Sequence, residues 1–237
     1  MISVLSDMMS YTFIVRAMIV GGLVALCSAL LGVSLVLKRY SMIGDGLSHV
    51  AFAALTIAVA MNVAPLYIST PIVTVAAIIL LRLSENSKIK GDSAIALIST
   101  VSIAIGVVVT ALTKGMNTDV YSYMFGSILA MSESDVYMSI ALSVVVIILF
   151  VFFYNKIFAV TFDESFAKAT GTKADAYNMI IAVLTAITIV VGMRIMGTML
   201  ISSLIIFPAL ISMRNFKQFK SVIICSAIVS VVCFFLG

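Results

Sequence analysis

An aspartate and the chain's single histidine stand four residues apart in the stretch KRYSMIGDGLSHVAFAAL, at Asp45 and His49. In a helix that spacing stacks two side chains on one face, with Cβ atoms about 5–6 Å apart. A carboxylate oxygen and a neutral imidazole nitrogen within one turn suit a borderline divalent ion such as zinc, manganese or ferrous iron. Two donors hold such an ion loosely, which serves an ion that must leave again. A stable site needs two more donors, and a two-fold pairing with an identical or similar subunit would bring a second Asp–His pair. Plainer uses compete. Asp45, after Gly44, could cap a helix while His49 bonds to a neighbouring helix, or the two could relay a proton.

The elements that must position this pair are membrane spans. Of 237 residues, 63% are hydrophobic and 10% charged, where a soluble domain carries about a quarter charged. A helix needs roughly 20 apolar residues to cross about 30 Å of hydrocarbon. That rule yields about eight spans, at 13–37, 43–60, 66–83, 93–113, 136–154, 179–191, 198–213 and 219–236. The expected fold is therefore all-α, a polytopic transmembrane helix bundle. Counting about 1.5 Å per residue from the boundary at Lys38 and Arg39 puts His49 on the order of 15 Å deeper, near the bilayer midplane. Ionisable groups at such depth face a bundle interior or an aqueous path.

Orientation follows from the 14 Lys and Arg residues, because basic loops stay on the cytoplasmic side. Eleven fall in four alternate loops: Lys38 and Arg39; Arg82, Lys88 and Lys90; Lys156, Lys168 and Lys173; Arg214, Lys217 and Lys220. Only Arg16, Lys114 and Arg194 lie elsewhere, and the last two read as markers of the outer surface. The N-terminus is thus expected outside, in a multi-pass protein of the cell membrane. The net charge of +4 comes from these membrane-proximal loops, which argues against nucleic acid as a partner and leaves membrane lipid as the surroundings. Cys27, Cys225 and Cys233 sit in apolar runs as small hydrophobes, and the 15 Met residues scatter as packing.

The chain reads as a single transmembrane domain over 1–237, without a P-loop to hydrolyse ATP. Two loops have character. The outer stretch 114–135 is too apolar to be freely solvated and too short to span, so it should dip into the membrane or lie flat. The inner loop, 155–178, contains TFDESFAKATGTKADAY, where Asp163 and Glu164 can cap a short helix and Gly171 can end it. Asp92 after Gly91 reads as a cap, and Pro208 as a kink.

Four stretches together resemble the membrane permease subunits of zinc, manganese and iron ATP-binding-cassette importers. They are LKRYSMIGDGLSHV at 37–50, FGSILAMSESD at 125–135, TFDESFAKATG at 161–171 and GTMLISSLIIFPA at 197–209, in the family's order. The resemblance implies an ABC importer permease architecture and a subunit that is not itself an enzyme. It implies partners as well: two ATPase subunits, an extracytoplasmic metal-binding protein and a second permease, as a homodimer. No permanently bound cofactor is implied, only a transported divalent ion. Through the GD-x-x-SH motif it makes Asp45 and His49 the metal ligands. It also makes 155–178 a cytoplasmic loop with a coupling helix, in which Phe162, Asp163, Glu164, Phe166, Ala167 and Gly171 meet the ATPase. The chain departs from the family in two respects. AFAALTIA follows His49 in place of a Pro-Gly pair, and the chain stops at Gly237 where relatives continue into a final span, so it is expected to lack that span.

Two other classes compete: a proton-coupled secondary metal carrier working without ATPases, and a membrane scaffold that moves nothing.

Overall fold

The protein is described by a computed structural model covering residues 11–86, 91–113, 126 and 133–236, with the backbone alone for 41, 84–86, 91 and 92. Among these residues the chain forms helices and no strand: α1 (Thr12–Leu37), α2 (Ser41–Ala60), α3 (Pro65–Asn86), α4 (Gly91–Leu112), α5 (Glu133–Phe152), α6 (Tyr154–Phe162), α7 (Glu164–Ala169), α8 (Ala174–Asn215) and α9 (Phe219–Leu236). Helices are what lipid permits, since they satisfy their own backbone polar groups. Several hydroxyls follow the same rule, with Thr70, Thr74, Ser99 and Thr110 each bonding the carbonyl four residues back.

Among the described residues seven helices are long and apolar enough to cross a membrane. The 42 residues of α8 contain both the sixth and the seventh spans expected from hydropathy, and its one residue with non-helical backbone angles is Gly197, at φ 78 and ψ 171. A side chain built at Gly192 would collide with Ile201 at 2.4 Å. Nine residues along a straight helix rise about 13.5 Å, so that contact requires the chain to double back. The two arms of α8 therefore form a hairpin, and with it the about eight spans of the hydropathy reading are recovered. Pro208, expected to kink its helix, lies within the second arm, and the break between the arms falls at Gly197. Positive φ with extended ψ is open to glycine almost alone.

The helices divide into a buried centre of α1, α2 and α8 and an outer set of α3, α4, α5 and α9. Close packing replaces the hydrophobic effect as the glue in lipid, and small residues allow it. At Gly32 of α1 a Cβ would lie 2.0 Å from the carbonyl oxygen of Ile205, so the two main chains touch. Helix α9 is pinned to α1 by Ser230 Oγ, which donates to the Ala25 carbonyl at 2.8 Å, and by Ser226 Oγ, 3.5 Å from the Ala29 carbonyl. Helix α2 lies between α4, α3 and α8, separated from α1 over most of its length although joined to it in sequence.

The ends sort by charge. Lys38 at the end of α1 bonds Asn178 near the start of α8, and Leu37, Met213 and Phe216 share one groove. Both feet of the hairpin therefore stand at the basic end. Its tip lies at the other, where Gly126 rests against the backbone of 195–197. The rest of the outer stretch expected to dip or lie flat, 114–125 and 127–132, is outside the described residues.

Candidate metal site

Helix α1 closes with two backbone bonds, from Arg39 N–H to the Val36 carbonyl and from Tyr40 N–H to the Leu35 carbonyl. Arg39 takes the left-handed conformation, φ 62, that this closure requires. The hook starts α2 at Ser41, with Tyr40 in the cap position. Asp45 is the fifth residue of α2, beyond the first turn, so it does not serve as the helix cap.

His49 Nε2 lies 3.7 Å from Asp45 Oδ2, too far for a hydrogen bond. Two donors each about 2.1 Å from one tetrahedral ion are about 3.4 Å apart, so a small side-chain rotation lets both reach a common cation. Between Ile43 and Thr56 every other residue is buried, whereas the side chains of Asp45 and His49 are 45% and 26% exposed. The pair thus looks out of the one open strip in the central part of the helix, which is otherwise walled in by its neighbours. Among the described residues no third His, Cys, Asp or Glu joins it.

The turn that carries the pair is braced from behind. Ser48 Oγ donates to the Asp45 carbonyl at 2.7 Å, and Ser202 Oγ, on the second arm of α8, lies 3.5 Å from Ser48 Oγ. Ser202 in turn donates to the Thr198 carbonyl just past the break. Ser48 belongs to the GD-x-x-SH motif and Ser202 to the stretch 197–209, but the sequence alone gives no sign that the two meet.

The six residues expected to meet an ATPase lie elsewhere, at the basic end. Asp163 Oδ1 accepts the Phe166 N–H at 2.9 Å and caps α7, a helix of six residues. Gly171, φ 81, ends it, with Gly171 N–H bonded to the Lys168 carbonyl and Thr172 N–H to that of Ala167. Phe162 and Phe166 face outward, while Ala167 is buried against Val160 and Ala174. Glu164 turns inward. Its carboxylate meets Lys38 at 3.3 Å, Asn178 at 3.1 Å and Lys168 at 2.9 Å, and Lys168 also reaches Asp175 at 2.9 Å. Burial pushes the Glu164 carboxyl up, but the bonds from Lys168 and Asn178 and the charge of Lys38 outweigh it and hold it at about 2. Bonds to Asp175 and Glu164 hold the Lys168 ammonium above its usual range. Residues 163–178 are thereby tied to the foot of α1, seven residues before Asp45.

At the opposite end Arg194 does not mark a surface. It is 8% exposed and its guanidinium meets Asp135 at 2.8 Å, clipping the start of α5 to the tip of the hairpin. Arg16 and Glu133 form a second, exposed pair nearby, also at 2.8 Å.

Comparison with known proteins agrees with this architecture. Residues 10–237 match the model of the ABC 3 transport family. A probable metal transport system membrane protein of Thermotoga maritima is 32% identical over 236 residues, all of this chain and 83% of that one. The manganese import system permease protein ScaB of Streptococcus gordonii is 26% identical over 92% of this chain and 78% of its own. The high-affinity zinc uptake system membrane protein ZnuB of Haemophilus influenzae is 28% identical over 87% and 79%. Among solved structures, PsaBC from Streptococcus pneumoniae in complex with Fab superposes with a TM-score of 0.86 at 27% identity, covering 98% of this chain and 84% of that one. A doubled-back eighth helix, an all-helical membrane bundle and a family match along nearly the whole chain converge: the protein belongs to the ABC 3 transport family, as a multi-pass permease subunit whose ATP hydrolysis is left to separate subunits.

Proposed function

We propose that this permease admits divalent metal ions, manganese or zinc, and that Asp45 and His49 hold the ion in transit. The observation that carries the reading is the open strip on α2, where two metal-ligand side chains lie 3.7 Å apart and alone escape burial between Ile43 and Thr56. Two donors are too few for a closed site, and a second copy of the chain facing this strip supplies the other two. Ferrous iron shares the donor chemistry, while the relatives' names favour manganese and zinc. An extracytoplasmic protein delivers the ion. ATPase subunits grip the exposed Phe162 and Phe166 around α7, and their closure on ATP shifts the bundle between two packings. Family membership disfavours the proton-coupled carrier, which has no use for such a docking helix.

The test is uptake of radioactive manganese and zinc by the complete complex in proteoliposomes. Asp45→Ala and His49→Ala should each abolish ATP-driven uptake while the complex still assembles. Normal uptake in both variants would remove the pair from the pathway.

A further inference from the structure

At the basic end a groove opens with an apolar floor of Leu37, Met213 and Val222, aromatic walls of Phe162 and Phe216, and Lys217 at its rim. It is open to the outside and offers about 270 Å³ of space. Phe162 and Phe216 are 62% and 45% exposed, although Phe158, Phe162 and Phe219 stack on one another beside them. The groove therefore stands at the level where the spans α1, α8 and α9 end and the loops begin.

Its charge is one-sided. Arg214, Lys217 and Lys220 are all exposed, and among the described residues none of them makes an ion pair. Residues 176–237 contain no Asp or Glu at all. The nearest acids along the wall are committed elsewhere, Asp163 to the cap of α7 and Glu164 to Lys38, Asn178 and Lys168. One free cation at the rim of an apolar slot, with two more within three residues of it in the sequence, complements a molecule with an anionic head and a hydrocarbon tail. Basic residues just cytoplasmic of a span attract anionic headgroups, and aromatic rings settle at the same level.

We infer that this groove binds an anionic phospholipid of the inner leaflet, its phosphate between Lys217 and Lys220 and one acyl chain against Phe216 and Met213. Docking of a protein is the rival use of such a surface. The observations favour lipid because the floor is formed by residues of membrane-crossing helices, Leu37, Met213 and Val222 of α1, α8 and α9. The inference is independent of the identity of the transported ion.

Native mass spectrometry of the full chain released from nanodiscs tests it, with phosphatidylcholine alone or mixed with phosphatidylglycerol. Wild type should retain phosphatidylglycerol in preference to phosphatidylcholine. Each surface cation contributes about fivefold to such binding, so Lys217→Gln should cost about fivefold and Lys217→Gln with Lys220→Gln about 25-fold, at low salt. Phe216→Ser should weaken retention with the charges intact, and Arg82→Gln, which removes an exposed cation on α3, should leave it unchanged. Equal retention of the two lipids overturns the inference, as does an equal loss in Arg82→Gln. Displacement by inorganic phosphate as effective as by phosphatidylglycerol overturns it also, by making phosphate alone the ligand. So does a photocrosslinker at Phe216 that captures an ATPase subunit in place of phospholipid in the assembled complex.

Discussion

Among the acidic residues of this bundle that have a basic partner, Asp135 and Asp45 are treated in opposite ways. Asp135 is buried with Arg194 at 2.8 Å at the tip of the hairpin. Asp45 is part-exposed, 3.7 Å from His49, and shares no hydrogen bond with it. The first pair spends its charges on each other and so fastens α5 to α8. The second leaves its donor atoms uncommitted on a strip with no cover, and uncommitted donors are what a passing cation needs. A charge satisfied by the protein is architecture; a charge left open in the same lipid-bounded setting is a place for something else.

That contrast can be broken by substitution. Arg194→Met takes the guanidinium from a buried carboxylate, and removing one partner of a buried pair costs about 3–5 kcal/mol. Thermal unfolding of the detergent-solubilised complex should show that loss, with most of it recovered in Arg194→Met combined with Asp135→Leu. Asp45→Ala and His49→Ala should do the reverse: metal affinity falls by at least about 100-fold, since even outer partners of a metal ligand are worth 10–100-fold, and the melting temperature holds. An Asp45→Ala protein that melts early would make the two pairs alike after all. Gly197→Ala forces a side chain into a backbone state nearly reserved for glycine, at about 1–3 kcal/mol, and should loosen the tip without touching the strip on α2. Hydrogen exchange around 190–201 reads that effect.

The smallest effect concerns α7. Because Glu164 is held at about 2, below its ordinary 4.5, its ionised attachment to Lys38 is complete above the ordinary value and is lost as pH falls from there towards 2. Hydrogen exchange in 164–169 should be insensitive to that attachment at neutral pH and rise under acid. Glu164→Gln should show the acid-like exchange already at neutral pH, and a flat response would mean the carboxylate does not secure this helix.

Local signals in the sequence carried much of this. The spacing of Asp45 and His49 is a property of one helix turn, and the cap at Asp163 and stop at Gly171 depend on neighbours within four residues. Long apolar runs gave most spans directly. Hydropathy starts the sixth span at 179 because it discounts Asp175, Tyr177 and Asn178, yet α8 begins at Ala174, with Ala174 and Asn178 buried against the loop region. Arg194 misled for a different reason. Its partner is 59 residues away in sequence, and no local pattern distinguishes a charge that finds such a partner from one that faces water. The openness of the α2 strip was equally hidden, because it depends on which sides α3, α4 and α8 occupy.

The contact between Gly32 and the Ile205 carbonyl has a bearing on any rearrangement of this bundle. Where two helices meet through side chains, rotamers can change and let one slide past the other. Where they meet main chain to main chain, there is nothing to rotate. The crossing at position 32 therefore behaves as a fixed pin: α1 and the outgoing arm of the hairpin can swivel about it, but neither can be drawn along the other without first being lifted apart.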